Sequence, residues 1–105
     1  MDLLTVYATA ASEDEATRIA EALVAERLVA CVNVLPSVTS VYRWKGEVCR
    51  DTEVALLAKT TADRFDRVAA SIRELHSYET PCVVAWPIAA GDPDYASWVR
   101  SQADG

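Results

Sequence analysis

The stretch from Leu28 to Thr60, LVACVNVLPSVTSVYRWKGEVCRDTEVALLAKT, limits the possible folds more than any other. A mostly apolar, β-branched run climbs from Ala30 to Trp44, Lys45-Gly46 turns it, and a second run returns from Val48 to Lys59. Such residues fit a pleated, half-buried surface, and a short glycine-containing link between two of these runs predicts a β-hairpin. Arms of about a dozen residues at roughly 3.3 Å each span about 40 Å, more than the ~13 Å radius of gyration of a domain this size covers from its centre. The hairpin should therefore project from its body. Val38, Val41, Tyr42, Trp44 and Val48 make it too apolar to stand in water, which predicts an assembly arm. Pro36-Ser37 interrupts the first arm. Proline has no N–H for the ladder, so a bulge or bend is expected there.

The flanking segments supply a body. Leu3 to Thr9 reads as a central strand buried on both faces. Ser12-Glu13-Asp14-Glu15 opens a helix, with Ser12 as cap and Glu15 returning the bond as in a capping box. Ala16, Ile19, Ala20, Leu23 and Val24 then make one apolar stripe, and the helix should end near Arg27. Ala30, Val32 and Val34 share one strand face, while Cys31, Asn33 and Leu35 share the other. A second helix begins after Thr60 or Thr61 and buries Phe65, Val68, Ala69, Ile72 and Leu75 or His76. Cys82 to Trp86 is a further strand. Asp92 and Pro93 open a last short helix, with Tyr95, Trp98 and Val99 facing inward and a polar tail from Ser101. The order β-α-β-β-α-β plus a C-terminal helix predicts an α+β, ferredoxin-like arrangement. Helices should cover one sheet face. The other face is also apolar and needs a cover, for which further copies of the chain are the available material.

At 105 residues the chain should be a single domain spanning 1–105. Its net charge of −6 argues against nucleic-acid backbones, which need a basic face, and leaves cations as partners. The three cysteines, Cys31, Cys49 and Cys82, are odd in number and lack a CxxC, so unbridged thiols are expected. MDLLTVYATA has no basic region before its apolar run and does not read as a secretory signal. No run approaches the ~20 apolar residues of a membrane span. A cytoplasmic, non-membrane protein is the expectation.

Several residues carry candidate chemistry. His76 is the only histidine. It is either a metal ligand or proton donor, or a helix C-terminal cation bonded to a free carbonyl. Cys31 is a buried small hydrophobe or a soft copper(I) ligand. Glu79 joins His76 and Cys31 as a candidate metal ligand, with Glu53 a further possibility. Lys59 and Glu79 read as an ion pair, or Lys59 lines an anion-receiving cleft. Trp44, Tyr42, Tyr78, Tyr95 and Trp98 are core or interface anchors, or walls of a cleft for a small ligand. No nucleophile–base constellation or glycine-rich phosphate loop appears, so no enzymatic role is predicted.

Ala30-Cys31-Val32-Asn33, Ser40 through Glu47, Glu53-Val54 with Lys59-Thr60, His76 through Pro81, and Gly91 through Tyr95 leading to Trp98 occur together in order. In this set the chain resembles CutA, the divalent-cation tolerance family, over essentially its whole length. The resemblance implies a tight homotrimer built by inter-subunit pairing of long hairpins, and a role in copper or divalent-cation tolerance with no obligatory cofactor. Some bacterial members carry a cysteine where this chain has Ala8 and a second histidine where it has Leu75, both among proposed copper ligands. Of that set His76 remains. An alternative is a small-ligand or signalling trimer resembling the PII regulators, with Lys59, His76, Trp44 and Glu79 at an inter-subunit anion or metabolite cleft. A third is a rigid seat for other proteins.

Overall fold

The computed structural model describes residues 2–104. Strand β1 (Leu3–Ala10) leads into helix α1 (Glu13–Ala25). Strands β2 (Cys31–Trp44) and β3 (Glu47–Thr61) follow. A 3-10 turn (Ala62–Arg64) then runs into α2 (Phe65–Leu75), and β4 (Val83–Pro87) and α3 (Pro93–Gln102) complete the chain. The four strands form one antiparallel sheet in the order β2-β3-β1-β4. This α+β architecture has the element order that the pattern predicts. No helix among the described residues is long and apolar enough to cross a membrane.

The body forms because two amphipathic helices bury their stripes on one sheet face. Ala16, Ile19, Ala20 and Leu23 of α1 and Val68 and Ile72 of α2 pack on Val6, Ala8, Ala10, Val54, Leu56 and Ala58. Each large aliphatic side chain so buried contributes roughly 1.5–3 kcal/mol. Ser12 caps α1 by accepting from Glu15 N at 3.2 Å. Glu15 returns its bond to Ala11 N at 3.1 Å, one residue beyond the cap. The helix ends at Ala25, and Arg27 turns the chain through a left-handed φ of 59° without a glycine. Thr60 does not cap α2; its hydroxyl donates to Leu28 O at 2.7 Å, and Thr61 makes no cap bond either.

Two expectations about α3 are corrected. Helices do not keep to one face: α3 packs Ala96 and Val99 on Leu3 and Ala30, with Ile88 alongside. Leu3 shares the side of β1 that carries Thr5, Tyr7 and Thr9, opposite Val6 and Ala8. Tyr95 and Trp98 do not point inward; both are exposed, because the small Ala96 and Val99 let the helix sit close with its aromatics at the rim. The polar tail is partly structural. Ser101 and Gln102 extend α3, Ala103 is buried, and Arg27 donates to Ser101 O at 2.7 Å and Asp104 O at 3.0 Å.

The hairpin turns on two residues, Lys45 (φ 49°) and Gly46 (φ 85°). Both signs are positive, as a type I′ turn requires to match strand twist. Between Leu35/Ala55 and Val38/Glu53 the register slips by one residue, the bulge expected at Pro36-Ser37. The consequence is a change of parity. Cys31, Asn33 and Leu35 lie on the open face below the bulge, and Val38, Ser40, Tyr42 and Trp44 continue that face above it. Val41 pairs with Arg50, and Arg43 with Val48, on the opposite side. The arm's apolar residues therefore divide between two faces rather than forming one surface. The molecule measures 44 × 25 × 22 Å.

Candidate functional site

Where the arm leaves the body, a cavity of about 480 Å³ opens on the sheet face not covered by α1 and α2. β1 contributes Tyr7 and Thr9, β2 contributes Ser40, Tyr42 and Trp44, and β3 contributes Glu53. The α2–β4 connection closes the side with Tyr78, Glu79, Thr80 and Cys82. The parity change at the bulge is what brings Ser40, Tyr42 and Trp44 to the same face as Tyr7, Thr9 and Glu53.

The connection after α2 is tied at three points. His76 Nε2 bonds Thr9 O at 2.7 Å, and its Nδ1 accepts from Tyr78 N at 3.0 Å. This pair of bonds requires the Nε2–H tautomer, with both ring nitrogens engaged. The carbonyl that His76 meets belongs to β1, not to its own helix. Ser77 N donates to Glu15 Oε2 at 2.9 Å. Tyr78 crosses to β3, where its hydroxyl donates to Glu53 Oε2 at 2.7 Å.

Charge in the cavity follows from these contacts. Burial, then the hydrogen bond to Glu53, pushes the Tyr78 phenol well above its ordinary range. Its bond to Asp51 leads the causes that push Tyr42 up to about 12. Burial and then the Glu53 charge raise the Cys82 thiol. Both phenols therefore keep their protons at neutral pH and spend them on carboxylates. For Glu15, burial alone would raise the carboxyl. Bonds from Ser77 and Ala11 outweigh burial and hold it below its ordinary value.

The candidate residues separate into two groups. Trp44, Tyr78 and Glu79 line the cavity, and His76 braces its wall from behind. Cys31, Tyr95, Trp98 and Lys59 lie toward the other end of the open face. Cys31 Sγ is 3.4 Å from Tyr95 Oη, the Tyr95 and Trp98 rings are 5.7 Å apart, and Lys59 is the cross-strand partner of Cys31. Lys59 and Glu79 do not form the ion pair suggested by their charges, since they belong to different groups; the described salt bridges are Arg64–Asp104 and Arg100–Asp2. The metal candidates His76, Cys31 and Glu79 are not brought together. Among the described residues no group of three or more His, Cys, Asp or Glu is arranged to hold an ion. The three thiols are unbridged. Sequence reasoning passed over Tyr7, Thr9, Ser40, Thr80 and Cys82; following the period of two through the bulge would have found the strand residues among them.

The fold and the cavity define a small α+β protein with a partly uncovered sheet face and a ligand-sized hollow at the root of a projecting hairpin. The chain belongs to the CutA1 divalent ion tolerance protein family, which matches residues 4–102. It is similar to the divalent-cation tolerance protein CutA of Thermus thermophilus, with 50% identity over 95 residues that cover 90% of this chain and 92% of the relative. A solved structure of the divalent cation tolerance protein (Cut A1) from that organism superposes with a TM-score of 0.93 at 47% identity, covering 95% of this chain and 97% of the other. CutA from Xylella fastidiosa superposes with a TM-score of 0.96 at 34% identity, over 99% and 100% of the two chains. The Xenopus laevis CutA homolog is 41% identical over 92% of this chain, which spans 64% of that longer relative.

Proposed function

We propose that this chain is a homotrimeric protein of divalent-cation tolerance that binds the ions directly but weakly, acts in the cytoplasm and catalyses no reaction. The observation that carries the reading is the charge of the cavity. Glu53 and Glu79 line it, and none of its described lining residues is Lys or Arg. A cation entering meets carboxylates, hydroxyls and aromatic rings, while an anion would meet like charge. The anion cleft of a PII-like trimer would have used Lys59, which lies with Cys31 and Tyr95 instead.

Weakness follows from the donor set. Tight metal sites converge three or more ligands, and two carboxylates with hydroxyl neighbours fall short of that. Oxygen donors favour hard divalent ions. Copper binding through His76 would require the ring to leave Thr9 or Tyr78. Support for the trimer comes from Leu35, Val41, Tyr42, Trp44, Val48, Val84 and Trp86, which are all exposed on the open face or the arm. Apolar surface of that extent marks an interaction site.

The test is a calorimetric titration of the reduced protein with Mn²⁺, which leaves the thiols unoxidised, beside Glu53→Gln and His76→Ala. Saturable binding that Glu53→Gln weakens at least about tenfold, with His76→Ala less affected, supports the reading. Absence of saturable binding removes the direct metal site. Light scattering on the same sample should give three times the 11.4 kDa chain mass; a monomer would overturn the trimer.

A further inference from the structure

The cavity at the root of the hairpin has more features of an organic-cation site than of a metal cage. We propose that it binds a small protonated amine, of the size and charge of a diaminoalkane. The proposal deepens the cation reading above by naming the ligand class, and it rests on that reading of the cavity's charge.

Four aromatic side chains, Tyr7, Tyr42, Trp44 and Tyr78, line the hollow. Ring faces attract an ammonium through their quadrupole, and more so where water is excluded. The molecule already uses Trp44 in this way. Lys45 Nζ stands 5.8 Å from the ring centroid, yet Lys45 is not among the residues lining the cavity.

Glu53 supplies the counter-charge. It is only 7% exposed, and one of its oxygens, Oε2, receives the Tyr78 hydroxyl. No described hydrogen bond or salt bridge reaches Oε1. That oxygen is not sealed from water, since among the described residues only Arg64 Nη1 is a buried side-chain polar atom without a partner; it is an accessible acceptor on the cavity lining. An entering N–H donor satisfies it, and a charged donor does so most strongly.

The balance of lining chemistry then separates two kinds of cation. A hydrated divalent metal needs about six oxygen ligands in return for its water, and aromatic faces replace none of them. An alkylammonium is less strongly hydrated. Its methylenes gain from apolar walls, its charge gains from the rings, and its N–H groups need only a carboxylate and a phenol oxygen. A volume of about 480 Å³ lies within the ordinary range for small-molecule sites and far exceeds what a single ion fills. The proposed ligand has two ends because Glu79 lines the same cavity as a second carboxylate.

The deciding experiment titrates the full-length protein, in its native assembly, with putrescine and separately with 1,4-butanediol, its uncharged isostere. Mn²⁺ is titrated in parallel, with and without saturating putrescine. Putrescine should bind saturably and the diol should not. Glu53→Gln, which keeps an oxygen for Tyr78, should weaken putrescine at least about tenfold. Trp44→Leu, with light scattering on the same sample showing the native assembly kept, should also weaken it several-fold. Equal binding of diamine and diol, no binding of either, or binding unchanged in both variants would overturn the proposal. If Glu53→Gln fails to fold, the diol comparison and Trp44→Leu decide. Mn²⁺ binding without putrescine binding overturns this inference and leaves the metal reading standing; the reverse result overturns the metal reading alone.

Discussion

β2 and β3 each run through two different environments, and the contrast separates what makes a strand from what buries one. From Val54 to Thr61, β3 lies between β1 and β2, with α1 and α2 beneath it, and Val54, Ala55, Leu56 and Ala58 are buried. From Glu47 to Glu53 its only described partner is β2, and Val41 and Val48 are 67% and 69% exposed. β2 has similar residue types in both halves, and β-propensity forms its ladder throughout. β3 changes from a charged outer half with Glu47, Arg50, Asp51 and Glu53 to an apolar inner half with Val54, Ala55, Leu56, Leu57 and Ala58. Burial follows the neighbours in β2, and both neighbours and composition in β3. An isolated two-stranded ribbon is marginal in water, so the arm has the chemistry of a strand without the packing that holds one.

The largest effects should come from testing the two halves against each other. Leu23→Ala, at a position 1% exposed in the body, should cost about 2–5 kcal/mol of stability in urea unfolding, because the cavity it leaves is lined by fixed neighbours. Trp44→Asp should leave the body's fold intact by circular dichroism and instead release monomers or aggregates in light scattering. An intact, equally heat-stable assembly after Trp44→Asp would show that the arm holds nothing.

A smaller effect is expected where the body meets the cavity wall. Glu15 is buried and joins Ala11 N to Ser77 N. Its carboxyl is held below the ordinary value of 4.5 in the fold. A depressed folded pKa stabilises the protein above the unfolded value, and the gain is lost as pH falls through the folded one. Glu15→Gln should therefore cost about 1–3 kcal/mol at neutral pH, with the difference shrinking below about pH 4.5. Parallel urea curves at pH 7 and pH 3.5 check this; a constant difference at both would mean that the carboxylate's charge is irrelevant.

The same contrast explains how far the residues could be read directly. Helix stripes, the Ser12 cap, the turn at Lys45-Gly46 and the bulge at Pro36-Ser37 are local signals, each set by a few neighbouring residues. The cavity is not local. Tyr7, Ser40, Glu53 and Cys82 become neighbours through strand register, and a one-residue slip at the bulge decides whether Tyr42 or Val41 faces the hollow. Burial of Glu53 is likewise invisible in sequence, since it depends on Tyr78 crossing from another connection. His76 stood out because it is unique, and its uniqueness says nothing of Thr9 O and Tyr78 N occupying both its nitrogens. On α3, Tyr95 and Trp98 have the larger apolar area, but Ala96 and Val99 fit the close approach to Leu3 and Ala30.

The smallest expected effect sharpens the comparison most. Gly46 has φ 85°, and a Cβ added there would meet nothing within 4 Å. Gly46→Ala therefore adds backbone strain of about 1 kcal/mol without a clash. If the arm stands free, that strain only frays the tip. Local opening of the ribbon then relieves it, and the thermal midpoint of the body should not move. If the arms hold an assembly together, opening the tip costs interface contacts, so each chain must bear the strain in the folded state. The midpoint should then fall by a few degrees, and by more in dilute solution than in concentrated solution, because assembly couples stability to concentration. Melting curves of Gly46→Ala at two protein concentrations read the difference. A midpoint unchanged at both would assign the arm to the solvent, despite Trp44, Val41 and Val48.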